Sequence, residues 1–367
     1  MPPKIRFGRP EIGHFEPYAP GRGIEQVRKQ YGLKRVIKLA SNENAWGTSP
    51  RVAPAVQRAA QRAFRYPDGA STELREALAR RHKVSPKQVI VGAGSDEIIE
   101  LLGKAFLRPS DEIVVSAHAF IRYRMAGELM GCRVRTVPMK YLRHDLEAMA
   151  RCVTRSTKLV FIANPNNPTG TYNTLSEVRK FLSRLPAETL SVWDEAYFEY
   201  ARKERDYGCI LENHLASSRA MVLRTFSKAY GLAGLRVGYG VAPSWVVDIL
   251  DRVRPPFNVS VVAQAAALAA LEDTGHIRRS VEKNLEGRNA LCHELEKMGL
   301  VFVPSCANFL LINIAPLSGR EVFERLLSQG VIARAVEEYG LPHHLRVTVG
   351  TPEENRLFIK ALKKVIP

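Results

Sequence analysis

The sequence predicts an α/β protein: a large domain built on a mostly parallel sheet covered by helices, then a smaller α+β domain at the C-terminus. Three observations predict it. From about residue 70 to 253, short apolar runs alternate with amphipathic stretches of about three helical turns. Past Arg254-Pro255-Pro256 the pattern changes to longer helices, then strands with helices between them. The length, 367 residues, is roughly twice what a single core of ~150 residues fills.

Taken in order, residues 1–40 hold proline and glycine without strong periodicity and read as an arm packed on the rest. Residues 41–255 are expected to form the large domain. There STELREALARRH reads as a helix, QVIVGAG as a strand and SDEIIELLGKAFL as an amphipathic helix. DEIVVSA, CRVRTVPM, KLVFIANP and LSVWDEAY follow as strands, with RYRMAGELMG, DLEAMARCV and TLSEVRKFLSRL as the helices between them. MVLRTFS and RVGYGVA add two strands before the helix SWVVDILDRV. Apolar runs this continuous belong to strands buried on both faces. Residues 256–367 are expected to form the small domain. Two helical stretches over 260–298 precede the strands VFVPS, NFLLINI, VIARAV and LRVTVG, with helices EVFERLLSQ and EENRLFIKALKKV among them.

Composition excludes several classes. With 46% hydrophobic and 25% charged residues the chain is ordinary globular material, not collagenous or low-complexity. Five cysteines are scattered without a CxxC pair, which points to free thiols and against a disulfide framework or a zinc site, so no metal is expected. No apolar run approaches the ~20 residues that span a bilayer, and the first residues lack a signal-peptide core. A cytoplasmic protein with no membrane partner is the expectation. The net charge of +17 is concentrated in residues 1–38, 51–83 and 121–180. It raises nucleic-acid binding as a hypothesis of a different class. No aromatic RNA-binding signature, Cys/His finger or polybasic tail accompanies it, and solvated helix faces account for it.

Chemistry in such a sheet gathers beyond the carboxyl ends of the strands. After QVIV come Gly92-Ala93-Gly94-Ser95-Asp96 and a helix, a turn whose small residues and open amides suit an anion or simply make a tight turn. After LVFI comes Ala163-Asn164-Pro165-Asn166-Asn167-Pro168, a stiff turn rich in side-chain amides. Asp194 closes the apolar run LSVW, where a carboxylate needs a cationic partner or ligand. Lys228 follows the apolar strand ending in Thr225-Phe226-Ser227. A lysine there has a reason if its amine is a nucleophile for an aldehyde. Thr225, Ser227 and Arg236 add hydroxyls and a guanidinium suited to a phosphate. His118, His343 and His344 read as surface or turn histidines.

The ordered set NPNNPTG, DEAY and TFSKAYGLAGLRVGY resembles the fold-type I aminotransferases that use pyridoxal 5′-phosphate. The likeness extends to LASNENAWGTSP, Arg65-Tyr66-Pro67-Asp68-Gly69, HAF, RPPFNVS, ANFLLI and GLPHHLRVTVGT, nearly the whole chain. It implies that Lys228 holds the cofactor covalently and later moves the proton, that Asp194 pairs with the ring nitrogen, and that Asn167 and Tyr197 bond its phenolic oxygen. It implies Phe120 against the ring, and Gly94, Ser95, Thr225, Ser227 and Arg236 around the phosphate. It implies a homodimer in which Tyr66 reaches the neighbouring subunit's site. Tyr18, Asn167, Arg334 and Arg346 are implied on the substrate side, with Arg346 clamping a carboxylate or, in a substrate lacking one, a phosphate. The branch resembled exchanges an amino group between histidinol phosphate and 2-oxoglutarate, forming glutamate, in histidine biosynthesis. Aromatic amino acids, or a threonine-phosphate-type decarboxylation, are the alternatives on the same cofactor. Two departures fall near the substrate side: Ala45 and Ala335 stand where the family often has proline.

Overall fold

The computed structural model describes residues 9, 12–13, 15, 21–213 and 219–366. The elements run α1 (Ile24–Tyr31), β1 (Ile37–Lys38), α2 (Val52–Ala60), α3 (Thr72–His82), β2 (Val89–Gly92), α4 (Ser95–Phe106), β3 (Glu112–Ser116) and α5 (Ile121–Leu129). Next come β4 (Arg133–Val137), α6 (Leu146–Cys152), β5 (Thr157–Ala163), α7 (Leu175–Arg184), β6 (Leu190–Asp194), α8 (Phe198–Ala201), β7 (Ala220–Thr225), β8 (Gly238–Val241) and α9 (Ser244–Val253). The C-terminal part holds α10 (Val261–Glu272), α11 (Thr274–Lys297), β9 (Phe302–Val303), β10 (Phe309–Asn313), α12 (Gly319–Ser328), β11 (Val331–Ile332), β12 (Arg334–Ala335), β13 (His344–Thr348) and α13 (Pro352–Val365).

The main sheet has seven strands in the order β2-β8-β7-β6-β5-β3-β4. Only β8 runs antiparallel to its neighbours. Along β5 the apolar run divides by the strand's period of two. Leu159 and Phe161 enter a core beneath α4, α5 and α9, while Val160 and Ile162 enter one beneath α6 and α7. A third core joins α2, α3 and α10 to the β2 edge. The second sheet, β12-β13-β10-β9, is antiparallel and covered by α11, α12 and α13.

Two sequence expectations change. The arm over residues 1–40 contains a helix and a strand: α1 buries Val27 against Leu327 and Ile332, and β1 pairs in parallel with β11. The apolar stripe of α1 is only Ile24, Val27 and Tyr31, too narrow a pattern to read. VIARAV is not one strand. Val331-Ile332 pair with β1, whereas Arg334-Ala335 pair with β13, and the chain changes sheets at Ala333.

We propose a two-body division close to the expected one but drawn by packing. The small body comprises residues 24–40 with the second sheet and its helices, and α10 stays with the large body through α2. Phe358, fully buried in the small-body core, tests it. Phe358→Ala is expected to cost about 3–5 kcal/mol and to shift one of two calorimetric transitions. A single transition that shifts as a whole would refute the division.

Candidate active site

Three parallel strands deliver their carboxyl ends side by side. Ala163 at the end of β5 is in register with Asp194 at the end of β6, and the Asn164 amide donates to the Asp194 carbonyl at 2.9 Å. On the other side β6 pairs with β7, which ends at Thr225. Immediately behind these ends lies a buried ion pair. Arg224 Nη2 and Nε donate to Glu195 Oε2 at 2.7 and 3.1 Å, and the guanidinium stacks 3.5 Å from the Phe198 ring centroid. Glu195 Oε1 accepts from the Ile210 amide at 2.8 Å, so neither carboxylate oxygen is left bare.

Beyond the strand ends is a cavity of about 270 Å³. Gly94, Ser95, Phe120, Asn167, Asp194, Tyr197, Thr225, Ser227, Lys228 and Arg236 all line it. Residues far apart in the chain are thus brought together as the motif order suggested. On one wall, Gly94 adopts φ +83° before α4, which no side chain caps, so the first-turn amides stay open to an anion. A Cβ at Gly94 would lie 2.8 Å from Arg236 Nη2, which puts the guanidinium directly over the turn. Arg236 Nη1 donates to Ser227 Oγ at 3.4 Å, and Arg236 itself holds the strained value φ +52°. Two acids border this turn: Asp96 is offset by Arg122 Nε at 2.7 Å, and Glu97 Oε2 accepts from the Ala93 amide and from Asn258 Nδ2, both at 2.6 Å.

Lys228 is half-buried. Its Nζ donates to the Ser41 carbonyl at 3.0 Å and lies 5.7 Å from the Tyr197 ring centroid. Burial, and then the charge of Arg346, brings its amine down to about 8. Burial pushes the Asp194 carboxyl the other way, up to about 6, against the bonds it accepts from Tyr123 and the Ala196 amide. Desolvation likewise raises the Tyr197 phenol to about 12. Tyr197 Oη accepts from Asn42 Nδ2 at 2.9 Å, which leaves its own proton to donate.

The arginines expected on the substrate side stand together. Arg334 on β12 and Arg346 on β13 are cross-strand partners. Arg346 donates to Asn167 Oδ1 and to the Ala40 carbonyl, both at 2.6 Å, while its Nε is buried without a partner among the described residues. Arg334 Nη2 pairs with Glu338 at 2.7 Å. Tyr66 does not line the cavity of its own chain: it is 82% exposed and stacks on Phe257 at 4.5 Å. Tyr18 lies outside the described residues.

A model of the class I and II aminotransferases matches residues 34–362. The chain belongs to that family. It is 45% identical to histidinol-phosphate aminotransferase 2 of Carboxydothermus hydrogenoformans, over 98% of this chain and 99% of that one. It is 46% identical to the histidinol-phosphate aminotransferase of Moorella thermoacetica, over 98% and 92%. Among solved structures, the histidinol-phosphate aminotransferase of Sinorhizobium meliloti in complex with pyridoxal-5′-phosphate superposes with a TM-score of 0.89, at 31% identity and 98% coverage of both chains. An aspartate aminotransferase double mutant of Thermus thermophilus gives 0.85 at 26% identity, covering 98% of this chain and all of that one. The fold is that of the fold-type I aminotransferases.

Sequence reasoning missed two side chains of this aminotransferase's site. Tyr123 Oη donates to Asp194 Oδ2 at 2.6 Å, and Asn42 supports Tyr197. Tyr123 sits three residues after Phe120, one turn on, and only that helical spacing could have flagged it. A larger groove of about 860 Å³, lined by Trp46, Leu291 and Ile359 between α11 and α13, is mainly apolar and lacks this donor set. Among the described residues no helix is long and apolar enough to cross a membrane, no acid, His or Cys cluster could hold a metal, and the five cysteines are free.

Proposed function

We propose that this aminotransferase carries pyridoxal 5′-phosphate in the 270 Å³ cavity and exchanges an amino group between histidinol phosphate and 2-oxoglutarate. The carrying observation is that one cavity holds both a deprotonatable amine, Lys228, and a buried carboxylate, Asp194, beside an anion cradle. The residues fit the cofactor. Uncapped first-turn amides of α4 with Thr225, Ser227 and Arg236 suit a phosphate dianion, and the Gly94 position leaves the backbone open to it. Asp194 suits a protonated ring nitrogen, the Tyr197 hydroxyl and the Asn167 amide suit the phenolic oxygen, and Phe120 offers a face. When bound, the cofactor supplies an aldehyde for the amine and a ring that accepts electrons.

The chain's own residues then have distinct tasks. Lys228, nucleophilic only when unprotonated, would hold the cofactor through its amine, with water leaving, and its freed Nζ would hold and move the proton taken from the substrate. Asp194 would face the ring nitrogen and keep it protonated. Arg346, aimed by Asn167 and Ala40, binds the substrate anion bidentately, the carboxylate of 2-oxoglutarate or glutamate in one half-reaction and the phosphate in the other. Its Nε, without a partner among the described residues, and the neighbouring Arg334 fit a phosphate substrate, and the relatives at about 45% identity carry that substrate in their names. Phe64, Tyr66 and Phe257 are exposed aromatics, 78%, 82% and 43% accessible, and Tyr66 stacks on Phe257; we read them as the surface of a homodimer with Tyr66 reaching the partner's cavity.

A substrate panel tests the reading. Histidinol phosphate with 2-oxoglutarate should yield glutamate fastest. Faster turnover of phenylalanine or tyrosine, or CO₂ release from threonine phosphate, would replace the substrate assignment. Borohydride should fix cofactor to wild type and not to Lys228→Ala. Because Lys228 titrates near 8 and reacts only as the free amine, uptake by stripped enzyme should rise about tenfold per pH unit below that value and level off above it. A pH-independent uptake rate would exclude Lys228 as the nucleophile. Chains carrying Lys228→Ala and Tyr66→Phe should each be impaired alone. Mixed, they should recover about a quarter of wild-type activity through random pairing; no recovery would exclude a shared site.

A further inference from the structure

We propose that Tyr123 is a positioning residue of this site, its phenol fixing Asp194 Oδ2 and its ring fixing Phe120. The inference rests on reading the cavity as the cofactor's. Tyr123 lies on α5 and is 1% exposed. Its Oη donates to Asp194 Oδ2 at 2.6 Å, the length of a charge-assisted bond. Asp194 Oδ1 accepts from the Ala196 amide at 3.1 Å. Each oxygen therefore has one fixed donor from a different element, and the carboxylate cannot turn about its terminal torsion without breaking both. The remaining lone pairs are the ones left for a ring nitrogen.

Tyr123 is itself locked. Its ring lies parallel to Phe161 of β5, with centroids 5.2 Å apart and 5° between planes, and Phe161 is fully buried. Its other neighbour is Phe120, met edge-on at 5.6 Å and 82°. One side chain thus joins the carboxylate at the end of β6 to the aromatic that offers a face to the cavity. Tyr123 must be the donor, since an ionised carboxylate has no proton to give. Burial first, and the adjacent Asp194 charge second, hold the phenol protonated far above its ordinary range. The charged and titratable groups facing Asp194 are Tyr123 from α5, Lys228 beyond β7, Tyr197 from its own turn, and Asp96 from α4, the last paired with Arg122.

Removing only the hydroxyl isolates this role. Tyr123→Phe keeps both ring contacts and takes one donor from Asp194. A bond to a charged group is worth about a tenfold change in affinity or more, so the dissociation constant for pyridoxal phosphate, read by absorbance titration of stripped protein, should rise at least tenfold. The donor favours the charged carboxylate, so its loss raises the carboxyl's titration point. The acid limb along which affinity weakens should accordingly move to higher pH, a change that altered packing would not produce. In an Asp194→Ala background Tyr123→Phe should have no further effect.

The outcomes separate cleanly. Wild type that binds no pyridoxal phosphate overturns the cofactor reading and this inference together. Wild type that binds, with Tyr123→Phe matching it in affinity and acid limb, overturns this inference alone. A loss that persists undiminished in the Asp194→Ala background also overturns it, by showing that Tyr123 acts through packing rather than through the carboxylate.

Discussion

A carboxylate and a guanidinium sealed from water, Glu195 and Arg224, sit one residue from the two strand ends that present Asp194 and Thr225. Desolvating two such ions costs several kcal/mol each, so the pair adds little net stability over apolar residues. Its effect is geometric. The charges can be buried only if both are satisfied at once, and that requires β6 and β7 to keep the register that pairs Asp194 with Leu223 and the chain after β6 to bend toward Ile210. Slipping one strand by a residue would strand a bare charge in the core, a loss of about 3–5 kcal/mol. The relative placement of Asp194 and the Thr225–Lys228 turn follows from this constraint. So does the shape of the cavity between them.

The same burial sets the electrostatics of the site. Lys228 is lowered and Asp194 raised by the one physical cause, withdrawal from water, so both move toward neutrality and toward reactivity near pH 7. Around them the positive charges divide by task. Arg236 faces the α4 turn, and Arg346 faces Asn167 and the second sheet. Arg122 pairs with Asp96, which would otherwise oppose an anion at the same turn. The net +17 of the chain is not what readies the site for anions; Arg236 at the turn and Arg346 beside Asn167 are, with Arg122 cancelling Asp96.

How much of this was legible in the sequence depends on the kind of contact. Strand ends were legible because apolar runs locate them and a parallel sheet aligns them, so Asn167, Asp194 and Lys228 could be placed on one rim before any coordinates. Arg346 could be assigned only by resemblance, since it stands on a separate sheet and meets the cavity's rim only by bonding Asn167. Tyr123 was not legible. Its position in α5 reads as ordinary helix burial, and only the tertiary approach of α5 to β6 turns it into a hydrogen-bond donor. Nor was the split of VIARAV, because which sheet a two-residue strand joins is decided by its partner: β1 for Val331-Ile332, β13 for Arg334-Ala335.

That partner strand leads into the segment that ties the two sheets to the chemistry. Leu39 O accepts from the Thr348 amide, Ala40 O holds Arg346, Ser41 O holds Lys228 and Asn42 holds Tyr197, so four consecutive residues tie together β13, the turn after β7 and the turn after β6. Asn42 reaches its phenol only in a left-handed conformation, φ +56°, a cost a non-glycine residue bears where surrounding contacts over-determine it. Asn44 continues the stitch, donating to the Ala229 carbonyl beside the lysine, and Gly231 packs so closely on the Gly47 carbonyl that no side chain could replace its hydrogen. The lysine amine is thus aimed by a backbone oxygen, that of Ser41, rather than by an acid. A carbonyl can orient an N–H without supplying the full negative charge that would keep the amine protonated, and a nucleophile that must lose its proton near neutral pH is better held that way than by a salt bridge.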